Sequence, residues 1–291
     1  MKLDFDKFLV KPGSRVILKD YDPSYNGGLS KKDARKELKN NIKELAEYQE
    51  KFWADDRYSM LIVLQARDAA GKDSAIKHVM SGLNPQGCRV YSYKTPSKEE
   101  LDHNYLWRHF KDLPERGAIG IFNRSHYENV LATKVNPEFL LNEKLPDIDS
   151  SEKADKKFWD KRYEQINNFE KHLYQNGCRI IKFFLNVSKE EQKERLLERL
   201  DKEEKNWKFS SSDLIARAQW DEYEKAYEEM MEKTSTDYAP WYIVPADKKY
   251  FTRVTIGSII VDYFKRLELR YPQPESSEQL AKAREILMNE K

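Results

Sequence analysis

Apolar residues in this chain fall into short runs separated by stretches in which apolar positions recur every three or four residues. The runs YSMLIVLQ (58–65), CRVYSYK (88–94), AIGIFN (118–123), CRIIKFFLNV (178–187) and WYIVP (241–245) are mostly apolar at successive positions. That is the pattern of strands covered by helices on both faces of a parallel sheet. Helical periodicity fills the gaps at 72–82, 97–112, 125–132, 152–176, 188–201, 211–233 and 248–268. The alternation predicts an α/β fold, a doubly wound, mainly parallel five-stranded sheet flanked by helices, with ligands at the carboxyl ends of the strands. Upstream, Ser30 is placed to cap a helix running to about Trp53, with Leu38, Ile42, Leu45, Ala46 and Phe52 on one stripe. Residues 1–57 therefore read as an arm that leans on a main domain at 58–270, and 271–291 as a charged peripheral tail.

Composition narrows the function class. Charged residues make up 35% of the 291 positions, yet the formal net charge is only +2, so no nucleic-acid partner is expected from bulk charge. Cys88 and Cys178 show no metal-binding spacing and read as free thiols of a reducing cytoplasm. No apolar run approaches the roughly 18 residues of a membrane span, and the N-terminus lacks the apolar core of a signal peptide.

The first candidate chemistry lies where the run 58–65 enters a helical pattern, at ARDAAGKD (66–73). Small residues Ala69, Ala70 and Gly71 followed by Lys72 suit a nest of backbone N–H groups at a helix N-terminus with a cation long enough to reach outer phosphates. Two positions depart from an ordinary nucleotide loop: Ala66 stands where a glycine is usual, and Asp73 where a hydroxyl would help hold Mg2+, with Ser74 one position late. A carboxylate at Asp68 would repel a phosphate unless a cation intervenes, so Asp68 points to a metal ion or to orientation of an acceptor. A second cluster follows the run 118–123, in FNRSHYEN (122–129). Asn123 replaces the acidic metal ligand of a P-loop kinase and is suited to a metal-bound water or a substrate oxygen. Arg124 is placed to offset charge on a transferring phosphoryl group. His126, Tyr127 and Glu128 share that strand end. Further on, Arg195, Arg199 and Lys202 form a stripe that continues through Lys205 and Lys208 around Trp207 before a new helix at 211–213. Arginines ahead of a helix break suggest a mobile lid closing over phosphates.

Five blocks in order, ARDAAGKDSAIKHVMSGLNPQG, YLWRHFKDLPERGAIGIFNRSHYENVL, FWDKRYEQINNFEKHL, KNWKFSSSDL and TSTDYAPWYIVPADKKYFTR, resemble the polyphosphate kinase 2 family, most nearly its class III branch, over roughly residues 10–269. The resemblance implies a P-loop kinase fold like that of thymidylate and adenylate kinases, with a helical lid at about 190–215. It also implies transfer of the terminal phosphoryl group of inorganic polyphosphate to AMP and ADP, dependent on Mg2+ with Mn2+ as a substitute. Asp68, Lys72 and Arg124 are then the catalytic residues. Ala69, Ala70, Gly71, Lys72, Asp73, Ser74, Arg195, Arg199, Lys202, Lys205 and Lys208 would bind polyphosphate. Arg108 of YLWRHF, Asn123, Arg124, His126, Tyr127 and Glu128 would face the nucleotide, and Asp68 with Asn123 the metal. Guanine nucleotides as further substrates and a homo-oligomer belong to the same expectation. Direct transfer is expected, His126 being the side chain that would carry a phosphoryl group otherwise. Two other readings stay open on the residues alone, an ATP-dependent nucleoside monophosphate kinase and a non-catalytic anion-binding protein on a kinase scaffold, the latter suggested by Ala66, Asp73 and Asn123.

Overall fold

The computed structural model describes residues 3–290. Its centre is a six-stranded sheet formed by β1 (Leu9–Val10), β2 (Ser59–Ala66), β3 (Cys88–Ser92), β4 (Ile119–Asn123), β5 (Cys178–Asn186) and β6 (Trp241–Pro245). The order across the sheet is β1-β6-β5-β2-β4-β3; all neighbours are parallel except β1, which runs antiparallel on the edge of β6. Five of the six are the strands read from the apolar runs. The expected five-stranded sheet is corrected by β1, whose two residues are too few to show any alternation and which the Ile243 N–H to Phe8 carbonyl bond, 2.7 Å, helps hold in place.

Helices α1 (Lys31–Asp55), α2 (Lys72–Val79), α3 (Lys98–Leu101), α4 (Trp107–Lys111), α5 (Ala132–Val135), α6 (Lys156–Gln175), α7 (Lys189–Asp201), α8 (Glu203–Asn206), α9 (Ser211–Ala218), α10 (Trp220–Thr234), α11 (Lys249–Lys265) and α12 (Ser277–Asn289) complete the chain. The Ser30 hydroxyl accepts from the Asp33 amide at 3.1 Å, so α1 starts where its cap predicts. Three expected helices are interrupted. The stretch 97–112 breaks into α3 and α4 because the Asn104 side chain takes the Leu106 amide (3.0 Å). The stretch 125–132 becomes a 3-10 turn, His126–Val130, followed by α5. The stretch 211–233 divides at Gln219, whose amide side chain donates to Asn136 (2.9 Å).

β2 shows how the layers form. Met60, Ile62, Leu64 and Ala66 point into a core shared with α1, α2 and α11, while Leu61 and Val63 point into a second core shared with α6 and α10. Both faces exclude water, which is why the strand is apolar from Met60 to Leu64. The N-terminal 57 residues supply β1, Phe8 against Phe251 and Tyr25, the Leu18 amide bonded to Glu228 (2.7 Å), and α1 lying along α11. α1 and α11 approach closely where Gly257 faces Asn41, whose amide donates to Ser258 Oγ (2.8 Å) and to the Val254 carbonyl (3.3 Å).

Candidate active site

The centre of the sheet delivers the candidate loop to its carboxyl edge. β2 ends at Ala66, the chain turns, and α2 begins at Lys72. Two left-handed residues make the turn, Gly71 (φ +111°) and Ala69 (φ +60°), and the latter is uncommon for a side chain with a Cβ. The amides of Gly71 to Ser74 open α2 without intrahelical acceptors, as a phosphate cradle requires. Lys72 is buried under this cradle, its Nζ donating to the Ala66 carbonyl at 3.0 Å. Burial, followed by the charge of Arg124, lowers its pKa to about 8, opposed by Asp68, Glu128 and Asp73.

β4 forms the opposite wall, in register with β2 so that Asn123 lies beside Leu64. Arg124 follows in a left-handed conformation (φ +63°), its amide pinned to the Leu64 carbonyl (3.0 Å). Its guanidinium bonds the Asp68 carboxylate and lies 3.7 Å from Glu128. Glu128 first, and Asp68 after the opposing effect of burial, hold it above the ordinary arginine pKa. Asn123 Nδ2 donates to Asp73 Oδ1 at 2.7 Å, so the two positions that depart from an ordinary nucleotide loop are partners.

The helices α7 to α9 close the third side. Arg195 turns inward: Nη1 donates to the Ala69 (3.1 Å) and Ala70 (2.6 Å) carbonyls, Nη2 to those of Ala246 (2.7 Å) and Asp247 (3.0 Å), and Nε to Glu191 (2.7 Å). All five guanidinium donors are taken. Gln192 adds a bond from its amide to the Asp68 carbonyl (3.0 Å). Arg199, one turn on, pairs instead with Asp213 at 2.9 Å across the break between α8 and α9. Lys202 and Lys205 share Glu198 (2.6 and 2.7 Å), and Lys208 lies over the ring of Trp207, which is 78% exposed.

The structure thus brings Asp68, the loop from Ala69 to Ser74, Asn123, Arg124 and Glu128 around one opening. It places other candidates elsewhere. His126 and Tyr127 are fully buried: the ring Nε2 of His126 is 3.3 Å from Glu170 Oε1, Tyr127 Oη donates to Glu170 (2.6 Å), and Lys182 Nζ meets both Glu170 (2.6 Å) and Tyr127 (2.7 Å). Arg108 is docked on the Lys94 carbonyl (2.9 Å) and Glu100 (3.3 Å), with its guanidinium over Tyr93.

Several residues around the opening escaped sequence reasoning. Arg67, inside the loop motif, is buried against the Trp220 ring (4.0 Å) and Glu224 (3.4 Å), which fixes α10 to the loop. Asp213 is buried, its carboxyl pushed up by burial and by the nearby charge of Asp68, so the start of α9 reaches the loop. Arg253 of α11 donates to Ser74 Oγ at 2.7 Å. The signal for the buried network was Lys182, a single cation inside an apolar strand, which requires a partner. Among the described residues no three His, Cys, Asp or Glu side chains converge as a metal cluster, and no helix is long and apolar enough to cross a membrane.

Comparison with known proteins adds ancestry to this geometry. The chain is 45% identical to an ADP-polyphosphate phosphotransferase of Rhodopseudomonas palustris, across 99% of this chain and 100% of that one. It is 42% identical to an AMP/ADP-polyphosphate phosphotransferase of Meiothermus ruber, across 93% and 97%. The crystal structure of polyphosphate kinase 2 from Arthrobacter aurescens superposes with a TM-score of 0.85 at 36% identity, covering 97% of this chain and 98% of that one. With residues 28–272 matching the family model of polyphosphate kinase 2, this chain belongs to the polyphosphate kinase 2 family.

Proposed function

We propose that the protein transfers the terminal phosphoryl group of inorganic polyphosphate to nucleoside mono- and diphosphates, AMP to ADP and ADP to ATP, in the direction set by mass action. The observation that carries this reading is the loop with Lys72 at its base, faced across the opening by the Arg124–Asp68 pair. The loop amides and Lys72 hold the donor end. Arg124 offsets charge on the transferring group once an anion competes with Asp68 for it, and Asp68 orients the acceptor oxygen for in-line attack. No protein nucleophile is needed, and His126 is too deeply buried to reach a phosphate, so transfer is direct.

A divalent cation fits the donor set. Asp68 has one carboxylate oxygen engaged by Arg124 and Asp73 one by Asn123, leaving the other oxygen of each without a hydrogen-bond donor among the described residues. Mg2+ takes one or two carboxylates beside waters and phosphate oxygens, so a larger protein cluster is not required. Asp68 and Asp73 would hold it, with the side-chain oxygen of Asn123 beside them, and the ion would neutralise charge between donor and acceptor phosphates. Mn2+ is a substitute of the same hard class. A cytoplasmic location is supported by the two free cysteines; acceptance of guanine nucleotides and a homo-oligomeric state complete the proposal.

The test supplies polyphosphate, Mg2+ and AMP, ADP, GMP or GDP in turn and follows nucleotide products. ATP formed from ADP and polyphosphate is expected. Failure to form it, with AMP phosphorylated by ATP instead, would replace this reading with an ATP-dependent kinase.

A further inference from the structure

Gln65 is the last residue of β2 on the face of Leu61 and Val63, and its amide is fully buried at the carboxyl end of the sheet. A buried amide needs partners at both of its ends. It finds them on the turn after β4. With its oxygen toward Ser125, the amide accepts from the Ser125 N–H and Oγ (both 3.1 Å), and its nitrogen donates to Glu128 Oε1 at 2.9 Å. The opposite orientation would set the amide oxygen against the Glu128 carboxylate and the nitrogen against the Ser125 N–H. Ser125 is itself buried and caps the turn His126–Val130, its Oγ accepting from the Tyr127 amide (3.3 Å) while its carbonyl accepts from the Glu128 amide (3.0 Å). Gln65 thus holds the turn at its cap and Glu128 at the tip of its side chain. The other Glu128 oxygen lies 3.7 Å from Arg124 Nη1, and Arg124 Nη2 bonds Asp68. A continuous set of polar contacts therefore runs from Ser125 through Gln65, Glu128 and Arg124 to Asp68, from the dry interior to the opening. Gln65 and Ser125 have no exposed surface there, so neither can touch a ligand.

We infer that Gln65 is a positioning residue for phosphoryl transfer: by fixing the Glu128 carboxylate it keeps the Arg124 guanidinium aimed at the opening when Asp68 turns to a divalent ion and the acceptor. The inference rests on the proposed polyphosphate reaction, in which Arg124 offsets charge on the transferring group. A guanidinium on a long flexible stem serves that role best when its direction is set before the reaction begins. Once the Asp68 contact is competed away, the Glu128 contact is the one left to set it, and Glu128 can do so only while its own rotamer is locked. Gln65 supplies that lock from behind, through a bond that no substrate displaces. Because Arg124 acts in the transition state, loosening it lowers kcat and kcat/KM together and leaves the KM of both substrates unchanged.

The test is a double-variant cycle of Gln65→Met, Glu128→Ala and the two together, in steady-state transfer from polyphosphate to ADP, with folding followed by circular dichroism. Methionine keeps the length and volume of Gln65 and removes both polar ends. Gln65→Met is expected to lower kcat about tenfold, the scale of a misplaced reacting group, with KM for polyphosphate and for ADP as in the parent. With Glu128→Ala already present there is nothing left to position, so adding Gln65→Met should lower kcat by no more than about twofold. A parental kcat in Gln65→Met overturns the inference, and so does a raised KM at parental kcat. Losses that multiply in the double variant also overturn it, because they mean that Gln65 serves only the packing of β2 and the cap at Ser125. Where Gln65→Met does not fold, Gln65→Asn, which keeps an amide for Ser125 but falls short of Glu128, takes its place in the same cycle. If the parent protein turns over no polyphosphate with any nucleotide, the functional reading fails on its own. Crystal structures then decide the positioning: Glu128 turned away from Arg124 in the Gln65 variant supports it, and Glu128 in its parental place overturns it.

Discussion

Replacing Arg195 by methionine keeps the aliphatic stem and deletes all five donors. The structure makes this a change to the loop's support, since the guanidinium joins the Ala69 and Ala70 carbonyls of the phosphate loop to the Ala246 and Asp247 carbonyls after β6. The bonds to Ala70 and Ala246 are buried; those to Ala69 and Asp247 are partly so and open to water once the side chain shrinks. A stranded buried acceptor costs about 1–3 kcal/mol, so two of them plus the lost charge-assisted bonds destabilise by about 3–5 kcal/mol. With roughly 2 cal/mol/K of unfolding entropy per residue, a chain of 291 residues loses roughly 1.6 °C of Tm per kcal/mol. The expected fall is therefore about 5–8 °C, measured by thermal denaturation followed by circular dichroism. Transfer should fall too, because Ala69 and Ala70 shape the cradle, while Arg195→Lys should recover little, since an ammonium cannot span four carbonyls. A variant with the parental Tm and only a raised KM for polyphosphate would refute the clamp and return Arg195 to direct phosphate binding.

Lys72→Ala and Arg124→Ala are each expected to lower phosphoryl transfer at least about a hundredfold with folding intact, the scale of removing one transition-state donor; near-normal rates would remove that residue from the mechanism. Because the Lys72 pKa is depressed from 10.5 to about 8, the free site holds its ammonium below pH 8 and loses it above. The ratio kcat/KM should therefore fall as pH rises through about 8, while the same limb in kcat lies higher because bound polyanion favours the charged form; a flat profile of kcat/KM would contradict this. The linked effect on stability has the opposite sign: Lys72 and Lys182, both lowered to about 8, bind fewer protons folded than unfolded, so their contribution to stability rises between pH 8 and 10.5. In the buried network, Glu170→Leu leaves Lys182 unpaired and should cost about 3–5 kcal/mol in denaturant titration, most of it recovered by adding Lys182→Met. Equal losses in single and double variants would show that the pairing is not what matters.

β2, β4, β5 and β6 were legible because they are mostly apolar on both faces; β3, half-exposed on the sheet edge, was legible only as a short run around Val90 and Tyr91, and β1 was not because two residues carry no period. The loop was legible because Gly-Lys follows a strand and starts a helix, a local signature. Its surroundings depend on distant partners. Arg195 and Arg199 lie four apart and read as one basic stripe, yet the fold turns the first onto loop carbonyls and gives the second Asp213 across a helix break. Spacing identifies a shared face but not what that face meets. His126 and Tyr127 adjoin Arg124 and are polar, which made them look like site residues. The turn after β4 instead sends them into the core toward Glu170 and Lys182, residues far away in sequence.

The departures that made ARDAAGKD look like a damaged nucleotide loop have a joint explanation. An ordinary P-loop kinase places a hydroxyl after the loop lysine and a carboxylate at the neighbouring strand end. Here the carboxylate is Asp73, on α2, and the strand end carries the amide Asn123, with Asn123 Nδ2 donating to Asp73 Oδ1 at 2.7 Å. Donor and acceptor have exchanged sides, and one negative charge remains between loop and strand. Taken singly, each position looks like a lost metal ligand; taken together, they keep the local charge and a hydrogen bond across the opening. Asp68 fits the same pattern: its partner is Arg124, held in a left-handed conformation on the far wall, so this carboxylate also spans the opening. Two pairs thus bridge the loop to β4, each with a carboxylate on the loop side. Lys72, buried beneath the cradle with its Nζ on the Ala66 carbonyl, is the cation beside them. In the proposed reaction these carboxylates stand at the reacting end of the donor, where a divalent ion and an acceptor phosphate would be accommodated. On that reading Asp68 and Asp73 belong to one arrangement of loop and strand end, each paired across the opening, and are not intrusions into another.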